Sequence, residues 1–483
     1  MKLGINTITV GCLVVGLSTQ SFSQKIGLEQ VIREVCANSD SVKMMKETVK
    51  KSDLVVKENW SAVYPTLSAT GAVALSHGSL FSSSGSSSSS SSSHSAPAED
   101  ALAKKEAAPY DPNAPVTYGA LNDLFGIISQ PMTTTVYNTG LQISQTLYTF
   151  GKVGTALKVA KNLNESTRLT YKRNMQALQL GALDAFYRAE LAERAVAIAE
   201  HSLARKKELY EFLDRNFQSG SGSKAQVLST KADVLNQNVT LLIAKRDART
   251  ARMQLNVFMG RTLTDSMALD TTEVPQSLKT FVLPKEDDAI TSAMQDREDL
   301  KSLKFLAEVN KDGAKIYRAM YLPSIGAQGS AGYSKVVPNV SSDFIPSGWQ
   351  KSWTIGLGAQ WTLFDGFASS SKAAQYESDA HKLEIACNGV SKMIEIDVRS
   401  AQIECIAADS NFIASREMYS SALESYDLTN SNFKQGSGQF SDLQLSDELL
   451  QQSELGLFNA GYRQMRSRAA LLIAMGREII SLN

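Results

Sequence analysis

The sequence predicts a mixed α and β protein that is internally duplicated, built mainly from long helical coiled coils, with four strands in each chain. Three observations support this prediction. Apolar and small residues repeat at heptad spacing within two predicted helices of about 65 residues each. Short stretches of strand-like alternation follow Pro65 and Pro323. A Phe-x-x-Gly-Ser-Gly stretch occurs twice, and its first residues, Phe217 and Phe433, lie 216 positions apart.

The amino terminus has the pattern of a secretory signal peptide, predicted over residues 1–23. Lys2 is followed by an apolar run and then by small residues that favour cleavage before Gln24. Lipidation at Cys12 is the alternative, but the apolar run before that cysteine is very short. The chain carries 49 basic and 49 acidic residues, so its charge predicts no nucleic-acid partner.

The first predicted repeat covers residues 24–260. It opens with an amphipathic helix, and then the period changes from helical to strand-like after Pro65. Eight consecutive serines, Ser86 to Ser93, mark a low-complexity loop between two strands. The predicted bounds are helix 24–60, strands 66–76 and 136–148, and loop 82–115.

The repeat continues with a long helix over 151–217, roughly 100 Å at 1.5 Å per residue. Glycines at positions 220 and 222 are expected to turn the chain back as a helical hairpin. A second helix over 224–259 ends at Gly260, which is typical of a helix stop.

A connector over 261–284 leads to the second predicted repeat, 285–483, which follows the same plan. Its elements are expected at 285–320 (helix), 324–333 and 353–363 (strands), and 367–433 and 440–475 (helices). Cys405 falls on the apolar stripe of the long helix, which predicts a small core residue rather than a reactive thiol.

The strands indicate contact with lipid. Trp353 and Trp361 share the apolar face of one strand, and a tilt near 40° would separate them vertically by roughly 20 Å, like two aromatic girdles. Four strands cannot close a barrel, and open edges are forbidden in lipid. The sequence therefore predicts a homotrimer whose strands form a twelve-stranded transmembrane β-barrel.

The duplicated plan resembles the TolC-type outer-membrane efflux proteins over essentially all of the mature chain. The resemblance rests on an ordered set of motifs: the helix–proline–strand joints at Pro65 and Pro323, the strand ends at 146–148 and 362–364, the Phe-x-x-Gly tips, and the Met-Gly-Arg helix ends. It implies a homotrimer in the outer membrane of a Gram-negative cell, in contact with outer-membrane lipid, with a long periplasmic α-barrel.

The resemblance also implies partners and docking residues. A periplasmic adaptor would join the channel to an inner-membrane transporter of the RND or ABC class and would dock on the hairpin tips. The tip positions that match are Phe217, Gly220, Ser221, Gly222, Phe433, Gly436, Ser437 and Gly438. The alternative is that the glycines only make the turns and the phenylalanines only end the heptad seam.

Asp442 matches a position where the family places an acidic residue at the periplasmic gate, whereas the family's second acidic position is Leu445 here and Asp447 is displaced. Its counterpart in the first repeat is Gln226. An ordinary solvated helix residue is the alternative. The four histidines lack metal spacing and no catalytic motif is present, so we expect no cofactor and no enzymatic activity.

The predicted function is a passive outer-membrane exit duct that takes its energy from a partner. The alternative is a periplasmic coiled-coil scaffold that transports nothing and whose strands form a soluble sheet. The tryptophan-bearing apolar strand faces argue against that alternative.

Overall fold

The structure, a computed structural model, describes residues 25–78, 132–265, 267–270, 274–338 and 348–481. The predicted signal peptide (1–23), the alternative lipid site at Cys12 and the predicted serine-rich loop (82–115) lie outside these residues. The described elements are β1 Lys25–Gly27, α1 Leu28–Asn38, α2 Asp40–Ser61, β2 Thr66–Gly78, β3 Met132–Tyr148, α3 Lys152–Gln218, α4 Lys224–Phe258, β4 Ala268–Asp270, α5 Gln276–Lys279, α6 Glu286–Asp296, α7 Glu298–Arg318, β5 Ser324–Pro338, β6 Gln350–Gln360, α8 Ala368–Lys434 and α9 Phe440–Ala474.

The two halves of the chain match element by element. Helices α3 and α8 begin and end 216 positions apart, as do α4 and α9. The elements before the inter-strand loops, α1 and α6, are offset by 258 positions instead. The fold is mostly helical with one four-stranded antiparallel sheet, which confirms the mixed α and β class.

The predicted single helices at 24–60 and 285–320 are wrong in one respect, because each is broken. The first becomes β1, α1 and α2, with a break at Ser39, where ψ is 140°. The second becomes α6 and α7, with a break at Arg297, where ψ is 119°. A single 3₁₀ turn follows the end of α7. Apolar spacing continues across both breaks, so the sequence pattern does not reveal them.

The breaks lie where the Met-Gly-Arg helix ends pack. Gly260 has φ +74°, and a Cβ there would come within 2.7 Å of the Asn38 carbonyl oxygen. In the second half, Gly476 has φ +80°, and its Cβ would come within 2.9 Å of the Arg297 amide nitrogen. Glycine is therefore required at both positions for two reasons: the backbone is left-handed, and it lies too close to another backbone segment to leave room for a Cβ.

The connector contains structure that the sequence did not suggest. Strand β4 pairs in parallel with β1, and helix α5 follows it. The Ser277 hydroxyl donates to the Ile479 carbonyl at 2.6 Å, which ties α5 to the end of the chain. These contacts join the start, middle and end of the sequence, so local patterns could not predict them.

The described chain divides into two compact units, of which the smaller comprises residues 58–155 and 316–370. Its sheet has the order β2-β3-β5-β6 and is antiparallel throughout. One face carries large apolar side chains that are exposed in the single chain, among them Leu67, Leu141, Ile143, Trp353 and Ile355. Such a continuous exposed apolar face requires a partner surface or lipid.

One predicted strand is shifted. Strand β6 ends at Gln360, so Trp361 and Leu363 lie beyond the strand predicted at 353–363. The Trp361 Nε1 instead donates to the Tyr321 carbonyl at 2.8 Å, which binds the ring to the end of the preceding helix segment. Both Trp353 and Trp361 are strongly exposed in the chain.

The larger unit contains the described parts of residues 1–57, 156–315 and 371–483. Its cores form along the predicted heptad stripes, where small residues such as Ala182, Ala189 and Ala408 are buried. Cys405 is 1% exposed and belongs to a core cluster with Ile394 and Val398, as its position predicted. Within the described chain, no helix is both long enough and apolar enough to cross a membrane.

The paired helical hairpin tips

The first tip joins α3 to α4 through a Schellman turn. The Ser221 amide donates to the Asn216 carbonyl at 3.0 Å, and the Gly220 amide donates to the Phe217 carbonyl at 3.0 Å. These two bonds pair carbonyls that a helix end otherwise leaves unsatisfied. The Ser221 hydroxyl adds a third bond to the Asn216 carbonyl at 3.1 Å.

The second tip repeats this geometry between α8 and α9. The Ser437 amide and hydroxyl both donate to the Asn432 carbonyl, at 3.0 and 3.1 Å, and the Gly436 amide donates to Phe433 at 3.0 Å. The serine in each Gly-Ser-Gly stretch therefore caps the helix that has just ended. Both serines remain exposed at the turn.

The two glycines of each tip serve different purposes. Gly220 and Gly436 have φ values of +82° and +80°, which L side chains resist, but the space around them is open. Gly222 and Gly438 are required by proximity, since a Cβ would lie 2.6 Å and 2.8 Å from the Phe217 and Phe433 amide nitrogens.

The two tip phenylalanines occupy different environments. Phe217 is 39% exposed. Phe433 is half-buried, with ring centroids of Phe212 and Phe440 each 6.1 Å away. Phe440 has Lys224 as its counterpart in the first repeat, so only the second tip gains this aromatic contact.

Polar contacts bring the two hairpins together. The Arg205 Nε donates to the Asp447 Oδ1 at 2.6 Å, joining α3 to α9. The Lys434 Nζ lies 2.7 Å from the Glu208 Oε1, and the Gln444 amide donates to Asp233 at 2.7 Å. These residues were not among the predicted site residues, because no pattern in a single helix indicates a partner on another.

The Arg205–Asp447 pair is mostly shielded from solvent, with side chains 21% and 11% exposed. The Arg205 guanidinium also lies over the Tyr426 ring, 5.3 Å from its centroid. Burial, with a further contribution from the Asp447 charge, raises the pKa of Tyr426 to about 12. The phenol is therefore neutral at physiological pH, so the cluster has one cation and one anion.

Asp442 lies in the first turn of α9 and is exposed. An acidic side chain is favourable there because helix amino termini carry partial positive charge. The Ser441 hydroxyl donates to its carboxylate at 3.3 Å. Leu445, one turn later, is 68% exposed, whereas Asp447 is buried against Arg205. Among the described residues, no cluster of three or more histidine, cysteine or carboxylate side chains could hold a metal ion.

Comparison with known proteins gives one family and one fold. The model of the outer membrane efflux protein family matches residues 126–261 and 289–477. No curated protein sequence matches the chain.

Solved structures of similar fold include three channels or membrane proteins. The outer-membrane channel OprN is 13% identical, with a TM-score of 0.70 over 94% of this chain and 90% of that chain. The outer membrane protein VceC of Vibrio cholerae is 13% identical, with a TM-score of 0.69 over 94% and 97%. The CmeC outer membrane channel of Campylobacter jejuni is 14% identical, with a TM-score of 0.70 over 93% and 85%. At these identities the likeness establishes the fold.

Proposed function

Because the chain belongs to the outer membrane efflux protein family, whose members are outer-membrane channels rather than enzymes, we propose that it is the exit duct of a tripartite efflux or type I secretion system. The duct is a passive conduit from periplasm to exterior. An inner-membrane transporter of the RND or ABC class supplies the energy through a periplasmic adaptor. The observation that carries this proposal is that a single copy leaves surfaces without a partner. Within the described residues, the outer strands of the sheet are unpaired on one side, and two helices of the larger unit expose large aliphatic side chains.

The sheet supports assembly from several copies. Within the described residues, its outer strands β2 and β6 each pair on one side only. Unpaired strand edges beside an apolar face are incompatible with lipid unless another chain pairs with them. Three copies would supply twelve strands and close a barrel with a lumen. In that assembly Trp353 and Trp361 would contact the two interfaces of the outer membrane as aromatic girdles.

The helices support the same assembly. Away from the tips, side-chain contacts order them α4, α3, α9, α8: the Lys245–Glu200 pair joins α4 to α3, Tyr462–Asp184 joins α9 to α3, and Gln464–Asp409 joins α9 to α8. The two end helices both carry large aliphatic side chains that are exposed in one copy.

On α4 these side chains recur at steps of seven, four and three residues, which is the spacing of a coiled-coil seam. The exposed set on α4 is Leu228, Leu235, Val239 and Leu242, and the exposed set on α8 is Ile396, Ile403, Ile406 and Ile413. Packing α4 of one copy against α8 of the next buries both sets. Because the two faces are different, the contact is heterologous, and three copies related by a threefold axis would close it into a ring.

The hairpin tips are the proposed docking site of the adaptor. The contacting positions are the exposed Ser221 and Ser437 and the residues that shape the turns around them. Asp442, one per copy, would form a ring of three carboxylates at the periplasmic gate, and the combined negative charge of that ring would favour cations. The signal peptide predicted over 1–23 would direct the chain across the inner membrane.

Cysteine cross-linking tests the ring. In a Cys387→Ser background, which leaves only buried native thiols among the described residues, Leu242→Cys is combined with Ile413→Cys. Mild oxidation is expected to yield linked dimers and trimers on non-reducing gels, and each single variant is the matched control. A monomer after oxidation, or release of the protein from membranes by carbonate, contradicts the duct and favours the periplasmic scaffold.

Docking is tested separately. Cysteines at Ser221 and Ser437 are expected to capture a periplasmic protein with a short cross-linker in intact cells. Cysteine at the exposed Thr240, away from both turns, is the matched control. Equal capture from Thr240, or none from either tip, counts against tip docking without affecting the ring.

A further inference from the structure

Two lysines are the only strongly basic or acidic residues in the described strands of the four-stranded sheet. Lys335 lies near the end of β5, and Lys351 lies near the start of β6. The four strands contain no arginine, aspartate or glutamate. Both lysines therefore lie at the end of the sheet from which β5 leads into β6, and the strands supply no carboxylate to neutralise them.

The two lysines belong to the apolar face of the sheet and not to its polar face. Tyr137 is the cross-strand partner of Lys335, and Tyr333 is the partner of Lys351, so each lysine shares a face with a tyrosine. Lys351 precedes Trp353 by two residues, which places both on one face of β6. The opposite face of β6 consists of glutamine, serine, threonine and glycine and carries no charge. The charges of this sheet are therefore on the face where a charge is least expected.

Tyrosine and lysine side chains form one cluster at this end of the face. Because Lys351 is opposite Tyr333, Lys335 is its diagonal neighbour, and such neighbours are roughly 7–8 Å apart in an antiparallel pair. The Lys351 Nζ lies 5.9 Å from the centroid of the Tyr333 ring, within range of a cation–π contact. Tyr137 and Tyr333 are both exposed. We call Tyr137, Tyr333, Lys335 and Lys351 the lysine–tyrosine cluster.

The composition of this cluster is typical of a membrane–water boundary. Tyrosine and tryptophan are enriched where acyl chains meet headgroups, because their rings are amphipathic. A lysine on a lipid-facing strand is costly at the centre of a bilayer and nearly neutral close to its surface. Its long stem can lie along apolar surface while the ammonium group reaches the headgroups. The cluster therefore indicates the level at which the sheet leaves the hydrocarbon, and its positive charge is complementary to an anionic headgroup.

We propose that the lysine–tyrosine cluster binds the headgroup of an anionic phospholipid, with both ammonium groups on the phosphate and the tyrosine rings beside the first part of the acyl chains. This inference rests on the proposed membrane-spanning role of the sheet. It adds a preference for the charge of the lipid, which an apolar face alone would not produce. Both lysines come from the same chain, so each copy carries a complete site.

Lipid selectivity measures this site directly. The full-length protein in a neutral detergent is titrated with phosphatidylglycerol or with phosphatidylcholine of the same acyl chains, and bound lipid is counted by native mass spectrometry. Each lysine near an anionic lipid contributes about a fivefold preference, so the two are expected to favour phosphatidylglycerol by about 25-fold. The preference should shrink as the salt concentration rises, because salt screens charges at the surface.

The double variant Lys335→Gln with Lys351→Gln removes both charges and keeps most of each stem. We expect its preference for phosphatidylglycerol to fall to within about twofold. The matched control is Lys51→Gln with Lys231→Gln, which makes the same change in net charge at two exposed lysines of α2 and α4 and should select lipid like the wild type. Both variants should melt at the wild-type temperature, so a lost preference is not lost folding.

Two outcomes would overturn the lipid site and leave the proposed function intact. One is equal binding of the two lipids by the wild type, and the other is an unchanged preference in the Lys335 and Lys351 double variant. A wild-type protein that binds neither lipid would instead contradict the membrane-spanning sheet, and the lipid site with it.

Discussion

Alanine substitutions at the two glycines of one tip separate two physical requirements. At Gly220 the backbone is left-handed, with φ +82°, and nothing lies within 4 Å of an added Cβ. At Gly222 an added Cβ would come within 2.6 Å of the Phe217 amide nitrogen and 2.9 Å of the Asn216 carbonyl carbon. The first change imposes conformational strain, and the second imposes a clash with backbone that cannot move away alone.

The two costs differ in size. A left-handed alanine costs about 1 kcal/mol, so Gly220→Ala should keep the turn and open it about fivefold more often. Gly222→Ala must separate the chain from residues 216 and 217, which breaks the Schellman bonds from Ser221 and Gly220. Two backbone hydrogen bonds and the Ser221 hydroxyl hydrogen bond, at about 1 kcal/mol each, sum to about 3 kcal/mol. The turn should therefore open on the order of a hundredfold more often in Gly222→Ala than in the wild type.

Hydrogen–deuterium exchange of the Ser221 amide measures this opening directly, because that amide is protected only while it donates to Asn216. Gly436→Ala and Gly438→Ala at the second tip provide an independent repeat, read at the Ser437 amide. Gly389→Ala is the matched control, because this exposed glycine lies within α8 and its added Cβ meets nothing within 4 Å. That control should leave tip exchange unchanged.

The relative size of the two increases in Ser221 exchange tests this explanation. If Gly222→Ala raises Ser221 exchange no more than Gly220→Ala does, the backbone approach is not what requires the second glycine. The same conclusion would follow if the two tips responded in opposite order.

Two further predictions concern ion pairs. Asp447→Asn leaves the Arg205 guanidinium without its anion. Since the pair is only partly exposed, we expect the unfolding free energy to fall by about 2 kcal/mol in a denaturation assay. Asp442→Asn, at an exposed position, should change the unfolding free energy by less than about 0.5 kcal/mol in the same assay. Burial alone would raise the pKa of Asp299, but hydrogen bonds and positive charge from Arg297 outweigh it and hold that pKa below its ordinary value of 3.8. Because the unfolded chain has the ordinary pKa, this stabilisation is complete above about pH 4 and is lost as pH falls through the folded-state pKa. Thermal melts of Asp299→Asn across that range should therefore show a shallower acid dependence than wild type, and an unchanged dependence would contradict the assignment.

Local features of the sequence predicted the order of the elements. Glycine at positive φ, proline at the helix-to-strand joints and the change of period are properties of a few neighbouring residues, so both hairpin turns and the starts of β2 and β5 lie where the sequence places them. The duplication strengthened each prediction, since two copies of one signal are less ambiguous than one.

Contacts between distant segments decided the rest. The breaks at Ser39 and Arg297 occur where Gly260 and Gly476 pack against them, and a glycine so far along the chain leaves no mark on the helix that it interrupts. Strand β6 ends at Gln360, before Trp361, whose indole bonds to the Tyr321 carbonyl from another segment.

By itself the sequence determined a duplicated helical and stranded chain, its two glycine turns and its resemblance to an outer-membrane channel family. Only the tertiary structure decided that Arg205 and Asp447 pair across the hairpins, that Asp442 remains exposed, and that Thr230 is buried. The physical reason is that turns and periodicity arise from steric limits within a few residues. Pairing and burial depend on side chains that only the packed helices bring together.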